Sequence, residues 1–209
     1  MLIDLTAGAR AAAEGIAAAC ERLGCDHVVL ADVGGDVLAT GAEPGLASPL
    51  CDAVMLAAAR HLPEELTVTG CVFGTGCDGE LTQAEVLERI AALGREGHWS
   101  GTVSPTPAVA RELIGLVDLV PTEASLVAAR CALGEVGSAE IRGGRRSVEL
   151  GPVPALCFVF DARAAVGSVA PLAKVVLDEP TIEAARDRLA EIGIRTELDY
   201  ELEMAARAD

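Results

Sequence analysis

The sequence predicts an α/β protein built on a mainly parallel sheet, with a mixed or antiparallel C-terminal extension. Three observations predict it. Over residues 1–120, short apolar runs rich in β-branched residues alternate with helical segments. The connections between them are short, as in parallel sheets with right-handed crossovers. Beyond Pro121 this rhythm breaks, and a Gly-Gly hairpin signal appears.

The elements follow in order. Thr6 to Leu23 is helical by composition and closes at Gly24. His27-Val-Val-Leu-Ala31 shows no apolar/polar alternation, which predicts a strand buried on both faces. A Gly-rich loop runs from Asp32 to Ala47. Ser48-Pro49 opens a helix to about His61, with Ser as N-cap and Pro at the first helical position. Leu66 to Phe73 is the next strand, and Gly74 to Leu81 a second polar, Gly-rich loop. Thr82-Gln-Ala-Glu85 is a capping box that starts a helix to about Leu93. Trp99 to Val103 is a third strand, and Thr106-Pro107 begins another helix.

In the extension, Glu123 to Leu133 is helical and stops at Gly134. Ala139 to Arg142 and Arg145 to Leu150 flank Gly143-Gly144 as a hairpin with a two-residue type I′ turn. Leu156 to Phe160 reads as a strand, Thr181 to Ile192 as a helix, and Arg195 to Leu202 as an alternating edge strand. Residues 1–209 are read as one α/β domain, with a parallel core at 1–120 and the extension at 121–209. A chain of this length buries roughly 70% of its unfolded surface and needs no staples. With 2% aromatics, its core is aliphatic.

Charge excludes several functions. A net charge of −16 repels nucleic acid and anionic lipid, and no basic stripe overrides it. Arg142, Arg145 and Arg146 surround the Gly-Gly turn and read as a solvated hairpin tip. No apolar run approaches the ~18 residues of a membrane span, and Met1-Leu-Ile-Asp4 is neither a signal peptide nor an anchor. Seven scattered cysteines without a Cys-x-x-Cys read as reduced thiols in the cytoplasm. Three histidines make a Cys/His zinc site a poor reading.

In open parallel sheets, ligands bind beyond the carboxyl ends of the strands. Three loops meet there: Asp32 to Ala47, Gly74 to Leu81 and Ser104 to Thr106. Each enters a helix N-terminus, whose free amides can hold an anion. Asp32-Val-Gly-Gly-Asp36 places two carboxylates around a bend where backbone can approach a ligand closely. Hard cations such as Mg²⁺ or Mn²⁺ take carboxylate oxygens and keep positions open for water and phosphate. Asp32, Asp36 and Asp52 are therefore the expected metal ligands, with Asp32 and Asp36 the catalytic pair. Gly34, Gly35, Glu43, Ser48, Gly74, Gly76, Asp78 and Glu80 are the expected ligand-binding residues. The bland alternative is that these aspartates cap helices and make Asx turns. Cys77 sits in a loop before a helix, but no His is near it in sequence, so it reads as structural. Gln83 and Glu85 are taken by the capping box. Neither a dinucleotide fingerprint nor a Walker pattern occurs.

The runs Val28-Val-Leu-Ala-Asp-Val-Gly-Gly-Asp-Val-Leu-Ala-Thr-Gly-Ala-Glu43, Leu46-Ala-Ser-Pro-Leu-Cys-Asp52, Gly74-Thr-Gly-Cys-Asp-Gly-Glu80 and Gln83-Ala-Glu-Val-Leu-Glu88 resemble the prokaryotic domain-of-unknown-function family 1152. Phe158-Val-Phe-Asp161 resembles it more loosely. The resemblance implies a Rossmann-like three-layer sandwich and carries no settled activity. It also implies that this chain corresponds to the C-terminal part of the family, without a Gly-rich N-terminal half. A homodimer, or a partner chain replacing that half, is then expected. The leading functional expectation is an enzyme that binds a phosphorylated or nucleotide-like small molecule through a divalent metal. The alternative is a non-catalytic binding or regulatory subunit that completes its site with a partner.

Overall fold

The computed structural model describes residues 2–117 and 119–208. In chain order the elements are α1 (Gly8–Leu23), β1 (His27–Val33), α2 (Pro49–Ala58), β2 (Thr67–Phe73), α3 (Gln83–Arg95), β3 (Trp99–Val103), α4 (Pro107–Val117) and α5 (Glu123–Ala132). There follow β4 (Gly137–Ile141), β5 (Arg146–Leu150), β6 (Cys157–Asp161), α6 (Ala162–Ser168), α7 (Pro171–Val175), α8 (Ile182–Glu191) and α9 (Glu197–Ala208).

The protein is mixed α/β, and its main sheet is mixed rather than mainly parallel. Strand order is β1-β2-β6-β3. β1 and β2 are parallel, whereas β6 runs antiparallel to both β2 and β3. The expected third parallel strand, β3, thus points the same way as β1 and β2 but does not touch them. Gly70 supplies the physical reason. It lies opposite Phe160 in the β2–β6 register, and a Cβ on it would stand 2.2 Å from the Phe160 ring. The ring fills the place of the missing side chain, which seats β6 beside β2. Residues 121–209, read as an extension, therefore supply a central strand.

One face of this sheet is covered. Val68, Gly70, Val72, Phe158 and Phe160 are buried there, and α1, α2, α6, α7 and α8 contribute to the same core. Helix α2 is its hub and packs against α1, α6, α7 and α8. Ala9, Ala12 and Ala13 of α1 and Ala53, Ala57 and Ala58 of α2 are buried, so the helix backbones approach closely. On the opposite side Val29 is 56% and Val103 58% exposed. The expectation that β1 is buried on both faces is corrected: its exposure alternates.

Two further expectations change. Arg195 to Leu202 is not an edge strand, because α9 occupies Glu197–Ala208. The Thr196 amide and hydroxyl both donate to Asp199 Oδ2, at 2.8 and 2.9 Å, a helix-start device that overrides the alternation. The hairpin pairs Ile141 with Arg146, so a four-residue loop replaces the two-residue turn. Arg142 takes φ 53° in it. No helix among the described residues is long and apolar enough to cross a membrane.

Gly70→Ala should overpack the β2–β6 seam and cost about 1–3 kcal/mol, read from the urea midpoint. An unchanged midpoint would show that the ring moves aside freely.

Candidate functional site

Strand β1 carries Asp32 itself, paired in register with Val72 of β2. The expected loop residue is thus held by sheet hydrogen bonding. The chain then turns through Gly34 and Gly35 at φ 139° and 117°. Gly34 donates its amide to Phe73 O at 3.0 Å, and Gly76 donates to Gly34 O at 2.7 Å. These bonds stitch the two Gly-rich loops together. A Cβ at Gly34 would stand 2.3 Å from Asp78 Cγ, and one at Gly35 would stand 2.6 Å from Val86. The glycines let Asp78 and α3 close on the first loop. Gly74 donates its amide to Pro154 O at 3.1 Å. The amides of Gly34, Gly74 and Gly76 are thus engaged within the protein.

Asp36 opens a short 3-10 turn (Asp36–Leu38) and is 6% exposed. Asp52 lies in the first turn of α2. Carboxylate oxygens of Asp32, Asp36 and Asp52 lie within 4.8 Å of one another, and so do those of Asp36, Asp78 and Glu80. Asp36 is common to both groups, so five carboxylates form one cluster. Asp32 Oδ2 is buried and has no hydrogen-bond partner. The Thr75 hydroxyl, in the second loop, is buried and unpartnered as well.

Electrostatics follow from this crowding. Burial first, and then Asp52 and Asp78, push the Asp32 carboxyl well above the ordinary range. Burial, with Asp52 and Asp32 beside it, raises Asp36 strongly. Burial and Glu197 push Asp52 up to about 6, and burial raises Asp78 to about 6. Glu80 behaves oppositely. Burial pushes it up, but hydrogen bonds from Ser48, Arg142 and the Ala47 amide outweigh that and hold it below its ordinary value.

Glu80 accepts from the Ala47 amide at 2.7 Å, the Ser48 amide at 2.9 Å, and the Ser48 hydroxyl. Arg142 adds an ion pair at 2.7 Å. Arg142 is therefore not a solvated hairpin tip. Ser48 precedes α2, but its hydroxyl does not cap the helix. Glu197 of α9 caps it instead, accepting from the Leu50 and Cys51 amides at 3.0 and 2.8 Å. The Ala47, Ser48, Leu50 and Cys51 amides, at the helix start expected to hold an anion, are already engaged by protein carboxylates.

Glu43 folds back on its own turn, accepting from the Thr40 amide at 2.9 Å and the Gly41 amide at 2.9 Å, and is not in either carboxylate group. Cys77 is fully buried, and burial beside Cys131 pushes its thiol up to about 12, which suits packing and not nucleophilic attack. Two cavities adjoin the site. One, of about 480 Å³, touches Asp32 and Asp52. The other, of about 560 Å³, touches Gly76 and Glu80 beside the capping box of α3. Sequence reasoning missed Thr75, Arg142 and Glu197. A Glu in the first turn of a C-terminal helix carries no local sign that it caps a helix far away in sequence.

Fold and site together define a mixed α/β protein with an acidic crevice at the strand ends. The family model described as "Protein of unknown function (DUF1152)" matches residues 1–205, and the chain belongs to that family. The match covers nearly the whole chain and does not support assigning it to the family's C-terminal part. No curated protein and no solved structure matches significantly.

The cluster sets a pH dependence. An acid raised in the folded chain binds more protons folded than unfolded, so stability falls as pH rises between the two values. For Asp52 and Asp78 that window runs from the ordinary 3.8 to about 6, and Asp32 and Asp36 extend it upward. Glu80 and Glu43 are lowered and act only in acid, below 4.5. Without divalent metal, the melting temperature should fall from about pH 5 to about pH 8. A flat or rising melting profile would argue against four desolvated carboxylates.

Proposed function

We propose that this protein binds Mg²⁺ or Mn²⁺ among Asp32, Asp36, Asp52, Asp78 and Glu80 and acts, through that ion, on a phosphorylated small molecule. The observation that carries the reading is Asp32 Oδ2, a buried oxygen without a partner inside a cluster of acids. A buried acceptor left unsatisfied costs about 1–3 kcal/mol, and a hard cation bound by oxygen donors would satisfy it. The donor set fits such an ion, being carboxylates without His or thiolate. It also explains how an acidic site takes an anionic substrate. With the amides at the start of α2 engaged by Glu80 and Glu197, a phosphate needs the cation as its bridge.

A bound divalent ion polarises phosphoryl oxygens and lowers the pKa of bound water. The chain's own residues prepare the place. Asp36 holds its proton strongly until a cation displaces it, so binding releases protons. Glu80, fixed by Ser48 and Arg142, stays ionised. Asp32, anchored in β1, aims from a rigid element. We assign the protein to the cytoplasm on its seven scattered cysteines.

Titration calorimetry with Mn²⁺ should show one binding event with proton release. Asp36→Asn should weaken it by at least about tenfold, the loss that even an outer-shell partner causes, and should not lower the metal-free melting temperature, since the amide is uncharged like the protonated acid it replaces. Loss of stability instead would make Asp36 structural. A thermal-shift screen of nucleotides and sugar phosphates should then show stabilisation only with metal, about 2.7 kcal/mol at 100 times the dissociation constant.

A second reading is a binding subunit completed by a partner chain or a second copy. It is favoured by β1, an edge strand that leaves Val29 56% exposed. Sedimentation at micromolar concentration should show a dimer if a second copy completes the site, and a monomer would remove that form of the reading.

A further inference from the structure

The cavity of about 480 Å³ runs between α1, α2 and β1. Its walls include Ile16, Cys20, Leu30, Met55, Leu56 and Phe160, and Ile16, Cys20, Leu56 and Phe160 are themselves buried. Its only acids are Asp32 and Asp52, two of the five clustered carboxylates. Volumes of this order hold small ligands. Here an apolar volume meets a polar end made by Asp32 Oδ2, buried and without a partner. A purely polar substrate would leave the hydrocarbon walls unmatched, and a purely apolar one would leave the carboxylates unmatched. We infer that the substrate is an alkyl or isoprenoid-like phosphate, its head bridged by the cation at Asp32 and Asp52 and its hydrocarbon chain lying along α1 and α2. This rests on the metal-bridged reading above and names the substrate class for it.

The test titrates the unaltered chain with ethyl phosphate, decyl phosphate, decanol and decylamine, with and without Mn²⁺. Free Mn²⁺ is followed separately by electron paramagnetic resonance. Burying two methylenes already strengthens binding by about tenfold. Decyl phosphate should therefore bind at least about tenfold tighter than ethyl phosphate, and only with Mn²⁺ present. Met55→Trp, which fills the cavity, should erase that difference while Mn²⁺ affinity stays unchanged. A diazirine-bearing alkyl phosphate used on the unaltered chain should label α1 or α2, whether or not the Trp variant folds.

Equal affinity for ethyl and decyl phosphate, or labelling elsewhere, would overturn the inference and leave the cation site standing. Decanol binding as tightly as decyl phosphate would reduce the cavity to an unselective apolar void. Decylamine binding without metal would replace the bridged head by an ammonium and overturn the proposal. Absence of Mn²⁺ binding would remove the metal reading and this inference with it.

Discussion

The site depends on one buried carboxylate. Glu80 is 3% exposed and is held by the Ala47 and Ser48 amides, the Ser48 hydroxyl and Arg142. Through these bonds a single side chain ties the second Gly-rich loop to the entrance of α2 and to the β4–β5 hairpin. Charge-assisted bonds of this kind are worth about 1.5–3 kcal/mol each. Removing the donors would leave a buried charge, so the three segments hold one another. The close approach of Gly34 to Asp78 then follows, since both loops are already locked together.

Against that stabilisation stands the rest of the cluster. Two like charges about 5 Å apart repel by roughly 3 kcal/mol at an effective dielectric of about 20. Burial and neighbours of this kind oppose the ionisation of Asp36, which therefore keeps its proton. The chain could have placed amides at these positions and lost the repulsion. Crowded acids in a cleft, with titration perturbed by burial and by one another, mark a candidate functional site. The only ion pair the described residues offer the cluster is Arg142 with Glu80, and it neutralises the acid that is least perturbed. Asp32, Asp36, Asp52 and Asp78 are left with raised proton affinity, the mark of carboxylates that burial and one another keep from ionising freely.

Much of this was legible in the sequence, for identifiable reasons. The capping box at Thr82 and Glu85 is present as read, because both partners lie within one turn. Helix α1 ends at Gly24 in the left-handed region, again a local signal. Asp32, Asp36, Asp52, Asp78 and Glu80 do converge, since strand polarity and short loops suffice to bring them together. What was not legible is non-local. Glu197 reaches Leu50 and Cys51 across most of the chain. Arg142 looks like a hairpin tip until Glu80 is seen beneath it. The apolar/polar alternation after Arg195 suggested a strand, and the Thr196–Asp199 cap was the stronger signal.

The strand order was the largest departure, yet it left the crevice where it was expected, and the reason is directional. β6 enters the sheet antiparallel between β2 and β3, so β1, β2 and β3 still point the same way. Their carboxyl ends gather on one side of the sheet, and Cys157, the first residue of β6, lies opposite both Phe73 and Val103 there. The rule that ligands bind beyond the carboxyl ends of strands needs parallel direction, not adjacency. Asp32 at the end of β1 and the loop after β2 satisfy it directly, because those two strands are neighbours. The inserted strand also places Phe160 over Gly70 and at the wall of the apolar cavity. One packing choice in the sheet therefore shapes the cavity that opens from the acidic cluster.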